Sequence, residues 1–123
     1  MTPRILVVDD TEFVRRNLIK IIIASGWEVV GEAETGEEAI ERYLALKPDL
    51  VTMDITMPGS RLDGIEATRA ILEEDPAARI LMCSAVGQLD KVQEAVAAGA
   101  KDHITKPFQK DRVVERIRAA LGS

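Results

Sequence analysis

The sequence holds 123 residues, 46% hydrophobic and 30% charged, which is the size of one ordinary globular domain and too short for a second. Sixteen basic against twenty-one acidic side chains give a net charge of -5, which repels polyanions, and four scattered aromatics make no base-stacking platform, so direct nucleic-acid binding is not expected. The single cysteine, Cys83, excludes a disulfide framework and a multi-cysteine zinc site; it favours a reducing compartment and reads as a small buried strand residue.

The chain opens on Met-Thr-Pro-Arg and then a short apolar run, Ile5 to Val8, which is stopped by Asp9 and Asp10. This is no signal peptide, and no apolar stretch approaches the ~20 residues that span a bilayer, so a soluble cytoplasmic protein without membrane contact is expected. Val14, Leu18, Ile21 and Ile22 then recur at helical spacing until Gly26. Val29 and Val30 read as a second strand, and Leu50 to Met53, after Pro48, as a third. Ile65, Thr68 and Leu72 mark a helix that stops before Pro76, and Ile80 to Cys83 a fourth strand. Leu89, Val92 and Val96 predict a helix ending at Gly99. A weaker strand follows around His103 and Ile104, and Val113, Val114, Ile117 and Leu121 stripe a final helix.

Strand and helix alternate throughout with no hairpin signal, which implies parallel strands, right-handed crossovers and helices on both faces, an α/β fold. Ile5 to Val8 and Ile80 to Cys83 are apolar on successive residues, as central strands covered on both sides must be, and the more polar strands suit the edges. With no internal repeat, low-complexity tract or linker, one domain over residues 1–123, with no output domain, is expected.

In an open parallel sheet, ligands bind beyond the carboxyl ends of the strands. Asp9 and Asp10 follow the first strand, Asp54 the third, Ser84 the fourth, and Lys106-Pro107 the fifth. Singly, these are ordinary cap, turn and surface residues. Together, three carboxylates on one rim repel one another and must take up protons or hold a cation. Oxygen-only donors favour a hard ion that leaves room for water and phosphate, and Mg2+ fits. A carboxylate beside Mg2+ can attack phosphorus and become an aspartyl phosphate. Asp54 is the candidate acceptor, with the Lys106 ammonium and the Ser84 hydroxyl as donors to phosphoryl oxygens.

RILVVDD at 4–10, PDLVTMDITMP at 48–58, Asp63-Gly64, MCSAVGQ at 82–88 and GAKDHITKPF at 99–108 span nearly the whole chain. In this combination the sequence resembles the response-regulator receiver domains of two-component signalling, in particular their stand-alone chemotaxis members. The resemblance implies a doubly wound, flavodoxin-like sheet of five parallel strands in the order 2-1-3-4-5, and that order comes from the resemblance alone. It also implies that Asp54 accepts a phosphoryl group from a histidine kinase and that the chain is no enzyme toward outside substrates. Mg2+ would be held by Asp9, acting largely through water, by Asp10 and Asp54, and by the backbone carbonyl of Thr56. Ser84 and Lys106 would respond to the phosphoryl group, Ser84 and the residue at 103 would act as the switch, and the Lys106–Pro107 bond would be cis. The implied target is a separate protein, the flagellar motor switch, with a phosphatase as a possible further partner.

Three features depart from or vary on the family pattern. The segment between Met57-Pro58 and Asp63-Gly64 is two residues longer than the family's Met-Pro-x-x-Asp-Gly; it reads as a tolerated surface insertion, or else as a loop loosened by Gly59 that lets Arg61 reach the site or a partner. His103 stands where the family usually has Tyr or Phe, either as a half-exposed strand residue or as a titratable version of the inward-swinging ring. Thr56, two residues past Asp54, and Ala85, directly after Ser84, are small and uncharged and are expected to leave the site open. Three other functions compete for parts of the pattern. A phosphorelay carrier would pass its phosphoryl group to a histidine phosphotransfer domain. A Mg2+-dependent phosphatase with an Asp nucleophile would need a second Asp where Thr56 stands. A flavin-type cofactor site would need a phosphate-cradling loop where the two acids stand.

Overall fold

The computed structural model describes residues 2–122. Strands β1 (Arg4–Val8), β2 (Glu28–Ala33), β3 (Leu50–Asp54), β4 (Ile80–Ser84) and β5 (Asp102–Thr105) alternate with helices α1 (Glu12–Ala24), α2 (Gly36–Leu46), α3 (Gly64–Glu74), α4 (Leu89–Ala97) and α5 (Lys110–Leu121). The strands form one parallel sheet in the order β2-β1-β3-β4-β5, the expected doubly wound arrangement. Every residue of β3 and β4 is buried, whereas the edge strands β2 and β5 keep exposed or half-buried positions. Unbroken apolar runs therefore sit where helices cover both faces.

Alternation within each strand divides the interior into two cores. Leu6, Val8, Val51, Met53, Ile80 and Met82 face α2, α3 and α4 through Ala39, Tyr43, Ile65, Ile71, Val92 and Ala95. Ile5, Val7, Leu50, Leu81, Cys83 and Ile104 face α1 and α5 through Leu18, Ile22, Val113 and Ile117. Between Leu50 and Asp54 lies Thr52, fully buried, whose Oγ1 has no hydrogen-bond partner. Such an oxygen costs desolvation without return. Thr52→Val, close in shape, is therefore expected to raise stability by about 1 kcal/mol, read as a later urea midpoint at unchanged m. An earlier midpoint would show that the hydroxyl is satisfied.

Two helix stripes differ from the sequence expectation. On α1 the buried residues are Arg15, Leu18 and Ile22, with Val14 and Ile21 only partly covered. On α4 the sheet-facing residues are Val92 and Ala95, while Leu89 and Val96 are 67% and 47% exposed. At 100° per residue, Leu89 and Val96 lie about 70–90° to one side of the Val92–Ala95 centre line. They form an apolar margin along α4 rather than its contact face.

The start of α3 is fixed more firmly than its apolar spacing implies. Asp63 accepts from the Glu66 backbone N–H (2.8 Å) and Glu66 returns a carboxylate oxygen to the Asp63 N–H (3.0 Å), a reciprocal cap. Gly64 N–H donates to the Ile55 carbonyl at 2.9 Å. A Cβ on Gly64 would stand 2.0 Å from the Asp54 carbonyl oxygen, so only glycine lets the helix approach the end of β3 this closely. Among the described residues no helix is long and apolar enough to cross a membrane.

Candidate functional site

The carboxyl ends of β1, β3, β4 and β5 meet at one rim, and the turn after β1 is the most heavily tied part of it. The Asp9 carboxylate accepts from the Thr11 N–H (2.9 Å), and its backbone carbonyl accepts from the Arg15 guanidinium (2.8 Å). Arg15 is itself buried and pairs with Glu32 (2.9 Å) and Glu34 (3.3 Å). Asp10 is exposed and accepts a long, 3.4 Å hydrogen bond from the Thr11 hydroxyl. The rim thus has one acid locked in place and one at the water's edge.

Lys106 reaches across from the end of β5, its Nζ 2.8 Å from Asp9 and 3.0 Å from Asp54. Its backbone N–H donates to the Ser84 carbonyl at 2.7 Å, which fixes the strand end, and the Lys106–Pro107 bond is cis as expected. Burial pushes the Asp54 carboxyl up and the Asp9 charge adds to this; Lys106 opposes by charge and hydrogen bond, Asp10 adds a smaller push, and the result is about 6. For Lys106, burial works against the charge, but the hydrogen bond to Asp9 and both the charge and hydrogen bond of Asp54 outweigh it, so its pKa rises.

Asp9, Asp10 and Asp54 each present an oxygen within 4.8 Å of the others. One ammonium does not balance three carboxylates, two of them buried, and that excess negative charge adds to burial in raising the Asp54 pKa. A small divalent cation with oxygen-only preference fits this donor set, and Mg2+ suits it. The rim therefore combines a poised carboxylate, a cationic side chain held against two acids and an anionic cradle. That set can accept and neutralise a phosphoryl group.

The remaining predicted residues stand around this centre. Ser84 is buried at the end of β4, its hydroxyl 3.5 Å from the Ile104 carbonyl on β5, turned to the neighbouring strand. His103 is half-exposed on β5, its Nδ1 3.5 Å from Asp102, which also pairs with Arg116 at 2.9 Å. It lines a groove of about 300 Å³ with Val86, Arg112 and Arg116. Thr56 is exposed, but its hydroxyl accepts from the Gln88 side-chain amide at 2.7 Å. The small residues at 56 and 85 therefore leave a gap that Gln88 spans.

The inserted loop is held, not loosened. Ser60 Oγ accepts from the Gly36 N–H (2.9 Å) and donates to the Leu62 carbonyl (2.6 Å), while Glu37 accepts from the Leu62 N–H (2.8 Å). Arg61 points into solvent. Sequence reasoning passed over Arg15, Gln88 and the Ser60–Glu37 pair. Arg15 had a legible signal, since 15, 18 and 22 share one helical face.

The family model described as the response regulator receiver domain matches residues 5–118. The chemotaxis protein CheY of Thermotoga maritima is 55% identical over 95% of this chain and 96% of its own length. The Bacillus subtilis protein of the same name is 54% identical over 99% of this chain and 100% of its own. Among solved structures, the receiver domain of NtrX from Brucella abortus superposes with a TM-score of 0.92 at 34% identity, covering 97% of this chain and 98% of that one. A Borrelia burgdorferi CheY, crystallised as a complex with CheX, BeF3 and Mg2+, gives 0.88 at 36% identity, covering 94% and 87%.

Proposed function

Because the chain belongs to the response regulator receiver domain family, whose members are signalling proteins, we propose that it is a phosphorylation-operated switch of a chemotaxis-type two-component system. The observation that carries this is the Lys106 ammonium held between Asp9 and Asp54, with Asp10 beside them. The phosphodonor is a histidine kinase. An Asp54 carboxylate oxygen forms a bond to phosphorus as the bond from phosphorus to the donor's imidazole nitrogen breaks; that nitrogen keeps the electron pair and is protonated from water. No general base is needed, since a carboxyl titrating at about 6 is mostly ionised at neutral pH. Asp9, Asp10, Asp54 and the Thr56 carbonyl would hold Mg2+, which when bound neutralises phosphoryl oxygens.

Lys106 then exchanges its Asp54 oxygen for a phosphoryl oxygen, and Ser84 turns from Ile104 toward the same group, with His103 following into the space behind it. This remodels the face made by α4, β5 and α5, where Leu89 and Val96 already form an apolar margin. The phosphoryl group shifts the equilibrium only as far as it interacts better with the turned arrangement than with the resting one. The output is binding to a separate protein, the flagellar motor switch, as supported by the match to the Bacillus subtilis chemotaxis protein CheY over that relative's whole length. The Borrelia relative's complex with CheX is a parallel case of a partner taken alongside BeF3 and Mg2+. Water attacking the acyl phosphate restores the Asp54 carboxylate and ends the signal.

Intact-mass measurement after acetyl phosphate and Mg2+ tests this directly. The native chain is expected to gain one phosphoryl group, and Asp54→Asn none. No gain in the native chain, or equal gain in both, would overturn the assignment.

A further inference from the structure

The β4–α4 turn holds a contact that the switch described above does not use. Gln88 is the N-cap residue of α4, yet its side chain makes no bond to the helix's free N–H groups. Ser, Thr, Asp and Asn serve that purpose, and Gln is a poor substitute. Gly87 turns the chain with φ at +87°, and the Gln88 carboxamide reaches back instead. Its Oε1 accepts the Ala85 N–H at 2.8 Å and its Nε2 donates to the Thr56 hydroxyl at 2.7 Å. One side chain thus spans two loops, joining the residue directly after Ser84 to the residue two past Asp54.

Resting on the phosphoacceptor reading, we infer that Gln88 is a positioning residue that occupies the Ala85 N–H in the resting chain and must surrender it when Asp54 carries a phosphoryl group. The physical ground is donor supply. A phosphoryl group brings three strongly accepting oxygens to the rim. Lys106 serves one, a cation another, and the next donor is the Ala85 N–H just past the end of β4, already spent on Gln88. The same carboxamide ties the residue after Ser84 to Thr56, so freeing that N–H breaks the bridge between the two loops. Gln88 therefore opposes the active arrangement by the net worth of its bridge.

Beryllofluoride, BeF3, is the probe, with Mg2+ present, titrated calorimetrically into the native chain, Gln88→Ala and Gln88→Asn. Asn keeps the carboxamide but is one methylene too short to span both loops. Both variants are expected to bind BeF3 about fivefold more tightly, the equivalent of one modest net hydrogen bond. Without BeF3 their urea midpoints should fall by that same modest increment, since the bridge steadies the resting chain, and with BeF3 bound the difference should vanish, which a merely structural role for Gln88 would not give. Acetyl phosphate should label both faster by a similar factor. Unchanged or weaker BeF3 binding in the variants, with a native chain that binds, would overturn the inference alone. A native chain that takes up neither BeF3 nor phosphoryl would remove the phosphoacceptor reading and this inference with it.

Discussion

Gly64→Ala is expected to destabilise the protein by about 3 kcal/mol and to abolish Mg2+ binding at the rim. The added methyl would lie 2.0 Å from the Asp54 carbonyl oxygen, 2.8 Å from its carbon and 2.9 Å from the Ile55 Cα, all backbone atoms of a buried strand end that cannot swing aside. Relief requires either lifting α3, which breaks the 2.9 Å bond from Gly64 N–H to Ile55, or displacing Asp54 itself. Both routes disturb Asp54. Urea denaturation followed by Trp27 fluorescence measures the first effect and Mg2+ calorimetry the second. A variant of native stability that still binds Mg2+ would show that the helix start has slack which its backbone contacts deny.

Removing the Asp54 charge should act in the opposite direction. Asp54 stands at about 6 against an ordinary 3.8, so as pH rises from about 4 to about 6 the unfolded chain releases this proton before the folded one does. The unfolded state then binds fewer protons, and the contribution of Asp54 to stability falls through this window, reaching its full cost above about pH 6. Asp54→Asn carries no such charge, and Lys106 keeps Asp9 at 2.8 Å as a partner. In metal-free buffer near pH 7.5 the variant should be more stable by about 1–2 kcal/mol, after discounting for screening at the rim, with the gap closing toward about pH 4. Added Mg2+ should stabilise the native chain more than the variant. Urea curves at several pH values decide it; a native chain that stays the more stable without metal at neutral pH would contradict the electrostatic account.

Much of the architecture was legible because burial on both faces leaves a direct trace. Ile5 to Val8 and Ile80 to Cys83 could be placed inside the sheet from their unbroken apolar runs, and both lie there. The acids and Lys106 were legible for a related reason: each follows a strand, and a parallel sheet brings all carboxyl ends to one side. Helix faces were harder. Apolar character alone placed Leu89 and Val96 against the sheet, but the small Ala95 brings α4 in on a different line and leaves both outside. Arg15 shares a helical face with Leu18 and Ile22, so its position was legible, but nothing local announces that Glu32 on β2 and Glu34 just past it will pair with it there. Gln88 left even less trace, because its contact with Thr56 exists only once Gly87 has turned the chain and the fold has brought the two loops together.

The fastening of the inserted loop to α2 bears on what the rim can use as hinges. Bonds from the Leu62 backbone, then from Arg61, Ser60 and its own backbone, outweigh the effect of burial and hold the Glu37 carboxyl below its usual value of 4.5. A carboxylate with a depressed pKa lends its support above the unfolded value and withdraws it only as pH falls through the folded one. Throughout the range in which Asp54 is ionised, Glu37 is therefore already charged and engaged. The extra residues serve as masonry joining the loop after Asp54 to the neighbouring helix, so on the proposed reading the hinge is expected on the opposite flank, between Ala85 and Leu89, where the Gln88 carboxamide is the tie that must give.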